Sequence, residues 1–100
     1  MAHTNPDFLA HLGGDAVAVA VKDVEPGQAH VAYLDDSAPT TIDVNAPIPL
    51  GHKVALRAVA AGDDVTEYGL RVAIASADIS KGDYVHTHNV RSARWHNSVA

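Results

Sequence analysis

Three times along this 100-residue chain an apolar residue is followed, at the same short distance, by a glycine: Val24-x-x-Gly27, Val59-x-x-Gly62 and Ile79-x-x-Gly82. The last two copies continue alike, into Asp63-Asp64-Val65 and Asp83-Tyr84-Val85. Glycine at such a point suits a backbone with positive φ, which residues bearing a Cβ avoid. The copies therefore predict three related tight β-turns. Their spacing is too irregular for the stacked repeats of a solenoid. A chain turned back so often predicts an all-β fold of many short strands, curled rather than flat, with helix confined to one or two short turns.

The segments between the turns agree. Phe8-Leu9-Ala10-His11 reads as a short strand, and Gly13-Gly14-Asp15 as a turn. Ala16 to Val21 carries valine at spacing two with alanine between, a strand pattern that makes a hairpin with the first. Further strands are expected at His30–Leu34, Thr41–Val44, His52–Val59, Val65–Gly69, Val72–Ala75 and Tyr84–Val90. Two prolines in Asn45-Ala46-Pro47-Ile48-Pro49-Leu50-Gly51 exclude a central strand and make this an extended connection. Residues 1–6 read as a flexible tail, 7–90 as one domain, and 91–100 as a C-terminal tail without a clear period.

The core must be built from small side chains. Ala (18) and Val (13) supply most of the apolar content, and the aromatics are five: Phe8, Tyr33, Tyr68, Tyr84 and Trp95. Stabilisation follows buried area, at about 25 cal/mol per Å². A domain of this composition is expected to lean on a partner for part of its stability. Without cysteine there is neither a disulfide framework nor a thiolate metal site. No apolar run approaches 18 residues, and the N-terminus lacks a basic region followed by an apolar one, so no membrane association and a cytoplasmic location are expected. A net charge of −5 argues against nucleic acid. It also makes the chain a poor host for small anions, so cations for an anionic substrate must come from a metal or another chain.

Chemically useful groups concentrate in Val85-His86-Thr87-His88-Asn89, with Gly51-His52-Lys53 as companion. On a strand, His86 and His88 would share one face about 7 Å apart. Two imidazoles so placed can hold one divalent ion or one acidic group of a substrate, or simply form a half-solvated strand face. His52 either faces such a site or hydrogen-bonds a loop carbonyl. Lys53 either meets a substrate carboxylate or pairs on the surface. Asn89 offers an amide to substrate or caps the strand as a turn former. Arg91 and Arg94 suit an anion or surface pairing, and Trp95 suits a partner's pocket. His11 stands open between site and surface; His3, His30 and His96 are expected to be solvated.

Taken together, Pro49-Leu50-Gly51-His52-Lys53-Val54-Ala55-Leu56, Gly62-Asp63-x-Val65-x-x-Tyr68-Gly69 and Ala77-Asp78-Ile79-x-x-Gly82-x-x-Val85-His86-Thr87-His88-Asn89-Val90 resemble the small domain of the altronate and galactarate dehydratase family. The resemblance runs from about Asp7 to Trp95. Pro6-Asp7-Phe8-Leu9-x-His11 and Asn89-Val90-Arg91-x-x-Arg94-Trp95 are more similar to the family's sulfo-lyase alpha subunits than to its sugar-acid dehydratases. Glu67 stands where the family usually has lysine, and Ala73 where it often has glycine.

The resemblance implies a single SAF-type β-clip domain and a lyase that removes water or bisulfite from a 2-hydroxy acid. It further implies a divalent metal, commonly iron, shared with a large catalytic subunit. In that setting His86, His88 and His52 are the expected catalytic residues, with His86 and His88 also the metal candidates. Asn89, Lys53 and Arg91 are expected at the small anionic hydroxy acid, and Trp95 and Arg94 at the large subunit. The alternative is a stand-alone SAF module that binds carbohydrate or a partner protein without catalysis.

Overall fold

The computed structural model describes residues 5–68 and 70–92. Every regular element among them is a β-strand. In chain order these are β1 (Phe8–Ala10), β2 (Val17–Ala20), β3 (Gly27–Tyr33), β4 (Thr40–Val44), β5 (Lys53–Ala55), β6 (Asp64–Glu67), β7 (Leu70–Ala75), β8 (Tyr84–Val85) and β9 (Val90–Ser92). One sheet has the order β4-β3-β1-β2-β5-β8; the other is β6-β7-β9. The expected hairpin is present, with Phe8 opposite Ala20 and Leu9 opposite Val19. On its other side β1 runs parallel to β3.

The repeated turn organises the rest, and it occurs four times rather than three. Ile48-Pro49-Leu50-Gly51 is the fourth copy, and Gly27, Gly51, Gly62 and Gly82 all have positive φ, at 124°, 85°, 90° and 91°. The copies close in pairs. Val24 and Ile48 exchange backbone hydrogen bonds of 2.9 and 2.8 Å, and Val59 and Ile79 exchange two of the same lengths. Around the second bridge the bonding is two-fold: Gly62 N–H donates to Ala75 C=O as Gly82 N–H donates to Ala55 C=O, and Ala75 N–H donates to Asp63 C=O as Ala55 N–H donates to Asp83 C=O. Around the first, Gly51 N–H donates to Ala20 C=O and Ala20 N–H to His52 C=O. The molecule is two interlocked clips, with β1 added between β2 and β3.

The clips shorten two expected strands. His52–Val59 forms a ladder only over Lys53–Ala55; the chain then bends so that Val59 can meet Ile79. Tyr84–Val90 is not one strand either. Pairing stops at Val85, residues 86–89 turn, and Val90 resumes pairing with a different sheet. Asparagine favours such a turn because its side chain can satisfy local backbone groups. Strand β9 carries Arg91 and Ser92, so pairing runs past residue 90.

The core has two parts, as the small side chains require. Phe8, Val31, Ile48 and Val54 centre one cluster with Ala18 and Ala20; Val17, Val59, Val65, Ile79 and Val85 centre the other with Ala55. Strand β5 feeds both, Val54 to the first and Ala55 to the second, because successive side chains point to opposite faces. This double burial fixes the end of β5, and with it His52.

Candidate functional site

The register of β5 and β8 pairs Lys53 with Val85 and Val54 with Tyr84. Continued one step outward, it sets His52 opposite His86. Alternation then puts Tyr84 and His86 on one face of their strand, and Val54 and His52 on the matching face of the other. The rings follow this plan. His52 and His86 stack with centroids 5.2 Å apart and planes 29° apart. Tyr84 touches both, at 5.6 Å from His52 and 5.4 Å from His86. It also reaches His88, at 5.8 Å. The Tyr84 hydroxyl lies 2.5 Å from Nδ1 of His52. His52 and Tyr84 are half-buried, whereas His86 and His88 are exposed.

Three of the expected site residues therefore come together, but not as two histidines on one strand face. The turn breaks that geometry, and Tyr84, not a straight strand, joins His86 to His88. Residue type alone does not single out Tyr84. A signal for it exists: Tyr84 precedes His86 by two residues, the spacing that shares a strand face.

Asn89 holds the turn. Its Oδ1 accepts from His86 N–H at 3.0 Å and its Nδ2 donates to Tyr84 C=O at 2.8 Å. The Asn89 and Val90 N–H groups both donate to His86 C=O at 3.0 Å. Asn89 is buried, and its amide is engaged within the loop that presents His86 and His88.

Beside the rings opens a pocket of about 350 Å³ lined by Val17, Val65, Val72, Ala73, Val85 and Val90, with His52, Lys53, His86 and Thr87 as its polar side chains. Lys53 does not meet this space as a free cation. Its Nζ donates to Glu67 Oε1 at 2.8 Å, and Glu67 is the more buried partner. The departure from the family's usual lysine is thus a carboxylate that neutralises Lys53. Arg91 sits exposed on β9, opposite Ile74. Alternation sends it away from the face on which Val90 lines the pocket. His11 belongs elsewhere, packed on Tyr68 at 4.8 Å. His30 is exposed on β3. His3, Arg94, Trp95 and His96 lie outside the described residues.

A divalent metal needs more ligands than this. Among the described residues no group of three or more histidine, aspartate or glutamate side chains converges to hold one. Nδ1 of His52 is taken by the Tyr84 hydroxyl. Among the described residues, the imidazoles of His86 and His88 are the ones the loop presents to such an ion.

Comparison with known proteins sharpens the picture. The family described as the altronate/galactarate dehydratase SAF domain matches residues 6–93. Subunit alpha of the (2R)-sulfolactate sulfo-lyase of Chromohalobacter salexigens is 37% identical over 91 residues, covering 89% of this chain and 97% of that protein. The same subunit of Paracoccus pantotrophus is 42% identical over 60 residues, 60% of this chain and 90% of that one. The altronate dehydratase of Bacillus subtilis is 35% identical over 78 residues, 78% of this chain but 15% of that enzyme.

Proposed function

We propose that this chain, which belongs to the altronate/galactarate dehydratase SAF-domain family, is the small subunit of a two-subunit lyase that eliminates water or bisulfite from a 2-hydroxy acid. The observation that carries the reading is similarity along nearly a whole relative: the chain is 37% identical to a (2R)-sulfolactate sulfo-lyase alpha subunit over 97% of that subunit.

The site supports part of such a reaction. Elimination needs a proton removed from one atom and a leaving group expelled from its neighbour, with charge building on the acid. Exposed His86 and His88 are suited to carry that proton at neutral pH. His52, less exposed and fixed by Tyr84, is suited to hold the substrate carboxylate. A divalent cation, iron in this family's pattern, supplies charge stabilisation at the carboxylate and hydroxyl when bound. This chain would reach it through His86 and His88, and the large subunit has to furnish the remaining ligands.

The test is reconstitution. The chain is expressed with its large subunit and assayed on sulfolactate and on sugar acids. Neither subunit alone is expected to turn over. His86→Ala or His88→Ala is expected to assemble normally and lose activity by about 100-fold or more, the scale of a lost acid–base group. A chain that purifies without a stoichiometric partner and binds carbohydrate would overturn the reading in favour of a stand-alone module.

A further inference from the structure

The position of Tyr84 bears on which nitrogen of His52 faces the substrate. We propose that Tyr84 is a positioning residue: its hydroxyl donates to Nδ1 of His52, holds that imidazole as the Nε2–H tautomer, and sets His52 to donate a hydrogen bond to the carboxylate of the acid. The nature of the anion rests on the lyase reading; the tautomer does not.

Three observations carry it. The first is the contact itself, 2.5 Å between the phenol oxygen and Nδ1. Two arrangements satisfy it, with the proton on oxygen or on nitrogen. A neutral imidazole nitrogen is a much stronger base than a phenol oxygen, and a phenol O–H is a stronger acid than an imidazole N–H, so the hydroxyl donates. The second is that the geometry is enforced from both sides. Val54, paired with Tyr84, is fully buried, which fixes β5 against β8. Asn89 Nδ2 donates to the Tyr84 carbonyl, which fixes β8 from the turn. Turning the His52 ring over about Cβ–Cγ would put Cδ2 where Nδ1 stands and lose the bond to Tyr84, while the stack on His86 keeps the ring plane.

The third observation is what else an anion could find there. The one lysine that lines the pocket is paired with Glu67 at 2.8 Å. Arg91 is on the opposite face of β9 from Val90. Among the described residues that line the pocket, a carboxylate therefore meets imidazole N–H donors rather than an unpaired lysine or arginine. A histidine locked as Nε2–H is such a donor, and in that form Nε2 has no lone pair for a metal. Tyr84 thereby separates the duties of the cluster: His52 for the anion, His86 and His88 for protons and any shared cation.

The first arm of the test reads the tautomer. The chain is labelled with 15N and its imidazole long-range 1H–15N correlations are recorded about two pH units above the ordinary imidazole value. His52 is expected to show an unprotonated Nδ1 and a protonated Nε2. Tyr84→Phe keeps the ring stack and removes only the hydroxyl, and is expected to shift both nitrogens toward the tautomer average. A protonated Nδ1 in the natural chain, or an identical pattern in Tyr84→Phe, overturns the proposal.

The second arm reads the consequence in the assembled lyase. Tyr84→Phe is expected to raise KM by about tenfold, the size of one hydrogen bond, with kcat within about twofold. In a His52→Ala background no side-chain donor remains for the phenol to orient. There, adding Tyr84→Phe should no longer move KM. An equal KM penalty in both backgrounds means the phenol acts on its own, and the proposal fails. If the assembled protein turns over no hydroxy acid, the lyase reading falls and the 15N spectra alone decide the tautomer.

Discussion

The two clips share a backbone and differ in what they carry. In each, an apolar pair exchanges two hydrogen bonds and two glycines take positive φ. In each, an aspartate just before one member of the pair staples the partner turn: Asp23 Oδ1 accepts from Leu50 N–H, and Asp78 Oδ1 accepts from Ala61 N–H, both at 2.9 Å. The residue after each glycine is where they part. In the second clip both positions are aspartate, Asp63 and Asp83; in the first they are Gln28 and His52. The apolar residue, the glycine and one carboxylate therefore specify the turn. The residue after the glycine is free to carry chemistry, and the site forms where His52 of the first clip meets the strand that leaves the second.

The largest expected effect tests whether the four glycines are equivalent. They are not equally hemmed in. A Cβ on Gly62 would meet nothing within 4 Å, whereas one on Gly82 would sit 2.0 Å from the Asp43 carbonyl oxygen. Gly62→Ala costs only the conformational penalty, about 1 kcal/mol. Gly82→Ala adds a backbone clash and is expected to cost about 3 kcal/mol or more. Urea unfolding of both variants checks this, and equal losses would show that β4 does not press on the second clip.

Next comes the turn that follows the second clip. Asn89→Ala leaves His86 N–H and Tyr84 C=O without their partner in a half-buried place, an expected loss of about 2 kcal/mol. The same change should detach His86 and His88 from Tyr84. In the assembled lyase the variant is expected to lose activity beyond what its stability explains; normal turnover would mean that the loop is not what presents the histidines.

These residues also show how far the sequence could be read. Glycine spacing and period-two valines located most strands, since both act locally through φ and through burial of one face. The fourth turn was hidden by Pro47 and Pro49, which marked an extended connection but masked its likeness to the other three. His52, His86 and His88 stood out by residue type. Tyr84 did not, because its partner is 32 residues away and depends on the register of β5 with β8. Likewise the Lys53–Glu67 pair spans 14 residues and two sheets, so Glu67 could be noticed in the sequence only as a departure.

A smaller effect asks whether the two aspartate staples are alike. Asp23→Ala and Asp78→Ala each remove one exposed hydrogen bond to a turn N–H, worth about 1 kcal/mol. Equal midpoint shifts are expected if the clips are energetically as similar as their bonding. A loss confined to Asp78→Ala would show that the second clip alone holds the fold together.

The smallest effect separates the clip carboxylates from those that anchor β1. Burial works against ionisation of Asp7, but the His30 N–H at 2.7 Å and Lys22 at 3.1 Å outweigh it and hold its pKa below the usual range. Asp35 is lowered by the Gly13 and Ser37 N–H groups, which donate to it at 2.9 and 2.8 Å. For a carboxylate whose pKa is lower in the folded state, the unfolded chain binds protons first as pH falls. The stability these two groups contribute is therefore complete above the ordinary carboxylate value, near 4, and is lost as pH drops through their lower folded values. Both sit beside solvent, so the loss is expected to be smaller than that of either staple. Unfolding midpoints are to be compared at pH 6 and pH 3 in the natural chain and in an Asp7→Asn, Asp35→Asn double variant. The double variant should lose less stability on acidification, because Asn keeps an acceptor oxygen but has no proton to gain. An unchanged acid loss would show that Asp7 and Asp35 are not the source of the acid sensitivity, and that the anchoring of β1 does not depend on their charge.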